Sequence, residues 1–268
     1  MISRKTVSHR EPGRNARNAF FVQVSRTSKP DRIEAERAFH NDRFFEAESR
    51  KESSKYYLAL EQWYQHYSES VRKAEVFHVL EIGSGVESIS MQFECAPFEL
   101  QSIDISEEAI HFTRTHARLQ NAHFSVQDAH YTSFPDASFD LVIGRGILHH
   151  LELSVACKEI RRVLRPDGAV LFGEPMNGNL LINLYRRLTP GLRTRDERPL
   201  SSKDITILRD CFGKVNLTYY GFLTLIPAVF GCRAPRMVHV LDHFILNKIG
   251  LGKFFAWACI LSTATEHK

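Results

Sequence analysis

Val79-Leu80-Glu81-Ile82-Gly83-Ser84-Gly85 is the stretch that decides the fold of this chain. An apolar run ends in an acid and passes at once into two glycines. That is the pattern of a buried parallel strand turning sharply into a helix around a nucleoside ligand. Glycine suits such a turn because it takes positive φ and lets backbone come close to a ligand. Short glycine-rich turns are common, so the motif gains weight only from the segments that follow it.

Leu100-Gln101-Ser102-Ile103-Asp104-Ile105-Ser106 reads as a second buried strand ending in an acid, about 20 residues beyond the glycines. In a doubly wound sheet that acid stands at the neighbouring strand tip, where a carboxylate accepts both hydroxyls of a ribose. Ser106 then N-caps a helix, with Glu107 and Glu108 in its first turn. Phe124 to Ala129 is a short strand with a polar end containing Asp128. Phe139 to Gly146 is a buried strand running into Ile147-Leu148-His149-His150, and Ala169 to Gly173 is a fifth strand ending at Glu174. Strands and helices alternate throughout, which predicts an α/β class with a mainly parallel sheet and a ligand site at the carboxyl ends of the strands.

With these segments in order, the chain resembles the class I S-adenosylmethionine-dependent methyltransferases, of the small-molecule type with a ubiquinone- or menaquinone-methyltransferase-like core. The resemblance covers about Val76 to Glu174. It rests on the Val79–Gly85 turn, Ile103-Asp104-Ile105-Ser106, Asp128-Ala129, Phe134-Pro135-Asp136 with Ser138 to Val142, Leu148-His149-His150-Leu151, and Glu159 to Gly168. It implies a Rossmann-like seven-stranded sheet with helices on both faces and the last strand antiparallel, and S-adenosylmethionine as cofactor. Gly83 and Gly85, with Glu81 and Ser84, would wrap the methionine portion. Asp104 would hold the ribose, Ile105 would pack on the adenine, Asp128 would accept from the adenine amino group, and Ala129 would offer a backbone N–H. Gly144 and Arg145 would lie beside the sulfonium and the acceptor.

The family pattern has a third glycine where this chain has Glu87. A carboxylate suits a helix N-terminus, but it also repels the carboxylate of the cofactor. A non-catalytic cofactor-binding protein of the same fold is therefore the alternative reading. An NAD-dependent oxidoreductase is disfavoured, because Ser88 stands where G-x-G-x-x-G needs its last glycine. His149 or His150 is the candidate general base for an oxygen nucleophile, each with a packing or capping role as its plainer alternative. Glu174 faces the same crevice and either binds the acceptor or stiffens the loop before Pro175. No metal is expected: the histidines lack partners at ligand spacing and, as neighbours on a helix, point apart.

Composition agrees with a cytoplasmic enzyme. The chain has 268 residues, a formal charge of +4, and five scattered cysteines with no CxxC. Such cysteines fit reduced thiols in a reducing compartment. Residues 1–30 hold seven Lys/Arg against one acid and read as a basic disordered tail. An Arg-rich, acid-poor tail also resembles an organellar transit peptide, so import stays open. With no basic-aromatic patch inside the fold, nucleic acid is not an expected partner. Residues 31–75 read as an N-terminal helical cap and 76–268 as the catalytic domain, the partner being a small-molecule acceptor. Leu180 to Leu188 reads as an amphipathic helix, Thr189 to Pro199 as a surface loop, Ser201 to Asp204 as a helix cap, Val215 to Phe222 as a strand, and Phe254 to Thr263 as the last strand. The apolar segment of about 223–252 is then an insertion between the last two strands. Helices packed on the sheet are its first reading. Its second is an interfacial lid making peripheral membrane contact, which would suit an apolar or lipid-like acceptor.

Overall fold

The computed structural model describes residues 57–188 and 198–263. The tail 1–30, the helical cap up to residue 56 and most of the Thr189–Pro199 loop lie outside the described residues.

Seven strands, β1 (His78–Ile82), β2 (Glu99–Asp104), β3 (Ala122–Val126), β4 (Phe139–Arg145), β5 (Leu164–Pro175), β6 (Val215–Tyr220) and β7 (Ala258–Thr263), form one sheet in the order β3-β2-β1-β4-β5-β7-β6. Only β7 is reversed, running antiparallel to both β5 and β6. The chain winds outward from β1 to β3, then returns to the other side of β1 with β4. That reversal opens a crevice beyond the carboxyl ends of β1 and β4, the usual ligand position in such sheets.

The helices are α1 (Glu61–Arg72), α2 (Ile89–Gln92), α3 (Glu107–His116), α4 (Leu153–Val163), α5 (Leu180–Leu188), α6 (Ser202–Phe212), α7 (Leu225–Val229), α8 (Arg236–His243) and α9 (Gly252–Phe255). Alternate strand residues go to opposite faces. Leu80, Val142, Val170 and Phe172 meet Cys157, Ile160 and Val163 of α4 and Ile205 and Leu208 of α6. Val79, Leu141, Ile143 and Leu171 meet Trp63, Tyr67 and Val71 of α1 with Ile89 of α2. Each such side chain contributes about 1.5–3 kcal/mol when fully buried, so both faces are held by similar forces. α1 sits especially close: Trp63 Nε1 donates to the Cys259 carbonyl at 2.9 Å, and a Cβ on Gly173 would lie 2.7 Å from the Trp63 ring.

The second half follows the sequence pattern with two shifts. α5 spans Leu180–Leu188, and α6 starts with the expected cap, Ser201 and Asp204 closing a reciprocal capping box. β6 stops at Tyr220, two residues early, because the backbone N–H groups of Gly221, Phe222 and Leu223 turn onto the Asp242 carboxylate. The last strand begins at Ala258 rather than Phe254. Residues Gly252–Phe255 close a helical turn whose Phe254 and Phe255 N–H groups donate to the Leu251 carbonyl. Between β6 and β7, α7, α8, a π-helical turn at Phe244–Lys248 and α9 make up the apolar insertion. Among the described residues, no helix is long and apolar enough to cross a membrane.

Candidate active site

The predicted residues meet at one edge of the sheet. Strand register sets Ile82 beside both Ile103 and Gly144, and Arg145 beside Gly173. The glycine turn, Asp104, Arg145 and Glu174 therefore leave adjacent strand ends.

The turn is shaped by backbone. Gly83 and Gly85 have φ of +73° and +49°, the left-handed region that favours glycine. Gly83 N and Ser84 N both donate to the Ile103 carbonyl, and Gly85 N donates to Asp104 Oδ2 at 3.0 Å. Asp104 Oδ1 accepts from Ser106 N at 2.9 Å. One carboxylate thus ties the glycine turn to the start of α3, whose cap is the Ser106 hydroxyl accepting from Ala109 N. Ile105, half-buried, follows at the rim.

Glu81 is placed beneath this turn rather than at its surface. Its Oε1 accepts from Ile89 N, and its Oε2 from the hydroxyls of Ser88 and Ser102 at 2.5 and 2.6 Å. Burial raises its pKa, and the hydrogen bonds from Ser102 and Ser88 oppose that rise. The carboxylate secures the start of α2 from below.

Asp128 stands just past β3. Its Oδ1 accepts from His130 N at 2.9 Å and from His130 Nδ1 at 2.6 Å, while His130 Nε2 accepts from Glu152 N at 3.0 Å. This fixes the His130 tautomer and locks the loop carrying Asp128 and the buried Ala129 to the start of α4. His130 was not picked out by the sequence reasoning; the Asp-x-His spacing was its one visible signal.

Arg145 leaves the end of β4 toward α1 and the α2 loop. Its Nη2 donates to the Glu87 carbonyl at 2.7 Å and to Glu87 Oε2 at 3.1 Å. The guanidinium lies 4.9 Å from the Tyr64 ring centre and 5.6 Å from that of Tyr67. Glu87, in the third-glycine position, therefore carries its own counter-charge. The partnership joins residues 58 apart in sequence, and no spacing rule exposes it.

Glu174 sits at the end of β5 with its side chain 0% exposed. Oε1 accepts from Ile147 N and Leu148 N at 2.9 and 2.8 Å, capping the 3-10 turn Leu148–His150, and Oε2 meets His149 Nδ1 at 2.8 Å. With Glu174 ionised, His149 carries its proton on Nδ1, which makes Nε2 the basic nitrogen. Rather than pointing apart, the rings of His149 and His150 lie side by side, centroids 4.2 Å apart, because a 3-10 turn at this carboxylate places them that way. Gly144 is held small from two sides: a Cβ there would lie 2.7 Å from Ile147 and 2.8 Å from Phe172. No group of three or more His, Cys, Asp or Glu that could hold a metal ion occurs among the described residues.

Against this geometry the comparisons are specific. A family model described as a methyltransferase domain matches residues 80–172, from the second residue of the glycine-turn stretch to the end of the β5 core. Over these residues the chain matches a methyltransferase domain, in line with the class I, S-adenosylmethionine-dependent family its sequence resembles. It is similar to an uncharacterized methyltransferase, YcgJ, of Bacillus subtilis (31% identical over 97 residues, 35% of this chain and 38% of that one). It is also similar to a demethylmenaquinone methyltransferase of Leptospira interrogans (34% over 102 residues, 35% and 41%). These matches span about two fifths of each curated relative's length. A solved Thermotoga maritima structure, described as a methyltransferase and possible histamine N-methyltransferase, shares the fold. It has a TM-score of 0.57 and 15% identity, over 80% of this chain and 95% of that one.

The methyltransferase turn suits the cofactor on an independent observation. Ser84 Oγ is buried with no hydrogen-bond partner among the described residues, directly within the turn. A polar atom left so is costly unless a ligand satisfies it. A Cβ at Gly83 would come within 2.8 Å of Ile147, so the turn excludes any larger residue.

Proposed function

We propose that the chain transfers a methyl group from S-adenosylmethionine to an oxygen or carbon of a small, apolar or lipid-like acceptor in the cytoplasm. One observation carries the reading: the glycine turn tied to Asp104 and the Glu174–His149 pair stand at the same sheet edge, at the ends of β1 and β5 on either side of β4. The menaquinone precursor named for the Leptospira relative supports an apolar ring acceptor.

When bound, the cofactor supplies a methyl group already activated on a sulfonium. The residues would then position and shield. Gly83, Ser84 and Gly85 receive the methionine portion, Asp104 the ribose, Ile105 and Asp128 with Ala129 the adenine. Gly144, which has no room for a side chain, keeps the path between cofactor and acceptor open. Arg145 balances Glu87 at the methionine end. Glu174 orients His149 so that its Nε2 takes a proton from an acceptor hydroxyl, with the His150 ring packed beside it. An insertion rooted at the same edge would make peripheral membrane contact and admit an apolar acceptor.

The test is calorimetric titration of S-adenosylmethionine and S-adenosylhomocysteine into the purified chain and its Asp104→Ala variant. Saturable binding that is lost in the variant is expected. A folded wild type that binds neither would sink the proposal. With binding in hand, incubation with quinols and lipophilic phenols should yield a product heavier by one methylene unit in mass spectrometry.

A further inference from the structure

Helix α8 is built inside out. Met237, Val240, Leu241 and Phe244 recur at the three- and four-residue spacing of one helical face, and that face is turned to solvent, with exposures from 50% at Leu241 to 83% at Met237. The opposite face, buried, carries His239 and Asp242. Asp242 accepts from the backbone N–H groups of Gly221, Phe222 and Leu223, so a polar contact to the loop after β6 sets the rotation of the helix. In an ordinary surface helix the two faces would be exchanged.

The neighbouring elements continue the pattern. α7 packs on α5 through Leu225, Ala228 and Ile182, leaving Ile226 and Phe230 exposed on one and Leu180 and Leu181 on the other. Asn179, just before α5, donates to the carbonyls of Gly221 and Phe255, which brings α5 against the end of α9 and its exposed Phe254. Exposed apolar side chains gathered on several elements mark an interaction site.

Charge indicates the partner. Between Gly221 and Trp257 the chain has Arg233, Arg236, Lys248 and Lys253 against one acid, Asp242, which is buried and faces inward. All four cations are exposed; Arg233 also lies 3.6 Å from Glu61. An outward apolar stripe with exposed cations beside it and no exposed acid of its own segment is the composition that seats a helix in the interface of an anionic bilayer. The location agrees: the insertion leaves the sheet at Tyr220 and returns at Ala258, and Ala258 pairs with Pro175, the residue after Glu174.

We propose that the outer face of α8, with the exposed sides of α5 and α7, docks on an anionic membrane surface and sets the active-site edge against the bilayer. That the acceptor arrives from the lipid rests on the function proposed above; the docking does not.

The experiment is flotation of the full chain with phosphatidylcholine vesicles, with and without phosphatidylglycerol, at low and high salt, with cofactor binding measured alongside. Binding to the anionic vesicles alone, weakened by salt, is expected. Leu241→Asp and Met237→Asp should abolish it while leaving circular dichroism and cofactor binding unchanged. Arg236→Glu should reduce partitioning at low salt by on the order of fivefold or more, as loss of a surface cation implies. Absence of flotation by the folded full chain overturns the proposal, as does equal flotation of the aspartate variants. A concentration-dependent dimer that Leu241→Asp dissolves, without vesicle binding, overturns it in favour of a second copy as the occupant. Vesicle binding without cofactor binding would retain the docking face and remove the methyltransferase reading.

Discussion

Two regions of the same sheet edge treat polar and apolar groups in opposite ways. At the carboxyl ends of β1, β2 and β5, the acids are drawn inward or into the turn: Glu81 under α2, Asp104 onto Gly85 and Ser106, Glu174 onto the 147–149 turn. In the insertion between β6 and β7, the one acid is used on the inner side of α8 and the apolar side chains are left outside. The first region is largely held by its own hydrogen bonds, with the N–H groups of Gly83, Ser84, Gly85, Ser106, Ile147 and Leu148 each on a fixed acceptor and Ser84 Oγ left for a ligand. The second is complete only with something on its surface. A site made by hydrogen bonds is rigid before its ligand arrives, whereas an exposed apolar face gains its stabilisation on contact.

The largest expected effect comes from breaking the first region. Glu174→Ala would remove the acceptor of the Ile147 and Leu148 N–H groups and of His149 Nδ1 at a carboxylate that is itself 0% exposed. Each unsatisfied buried group costs about 1–3 kcal/mol, so a loss of about 3 kcal/mol or more is expected in thermal or urea unfolding. Met237→Asp, in the second region, should leave the midpoint near that of the wild type. If the two variants unfold alike, the contrast between the regions is wrong. Glu174→Gln keeps volume and one acceptor, so it should unfold between wild type and Glu174→Ala and shift the acidic limb of the pH–rate profile if His149 removes the acceptor proton.

A smaller effect separates two neighbouring glycines. Gly83→Ala meets both a positive φ and the Ile147 side chain at 2.8 Å, whereas Gly85→Ala meets a positive φ in open space. A non-glycine residue in such a conformation costs about 1–3 kcal/mol. Gly83→Ala should therefore lower stability and weaken cofactor binding more than Gly85→Ala, as read by calorimetry and melting. Equal losses would show that φ alone governs the turn.

How much of this was legible in the sequence follows the same division. The glycine turn, Asp104 at the next strand tip, the Ser201–Asp204 cap and the limits of α5 were readable because each is a local pattern with a fixed period or offset. The 3-10 turn at His149 was not, because its shape is imposed by Glu174 from 25 residues away. The start of β7 was misplaced because Phe254-Phe255-Ala256 is apolar whether it forms a turn or a strand. The apolar character of the 223–252 segment was readable, but composition alone does not say which side of α8 faces the protein. That was fixed by Asp242 reaching back to Gly221, Phe222 and Leu223, which leaves the apolar side chains of α8 outward.

The smallest expected effect concerns the residue where the glycine pattern is broken. Glu87 is 58% exposed and Arg145 10%, so their pair lies at the boundary between solvent and site. Exposed pairs contribute about 0–1 kcal/mol, and Arg145 keeps its bond to the Glu87 carbonyl and its place against Tyr64 and Tyr67 whatever the side chain at position 87. Glu87→Gln should therefore barely change stability. If Glu87 only adds negative charge near the methionine end of the cofactor, Glu87→Gln should tighten binding by less than about tenfold, and the gain should shrink as salt screens it. If binding instead weakens, Glu87 and Arg145 act together to hold the α2 loop in its receptive shape. The third-glycine position would then be a working part of this site.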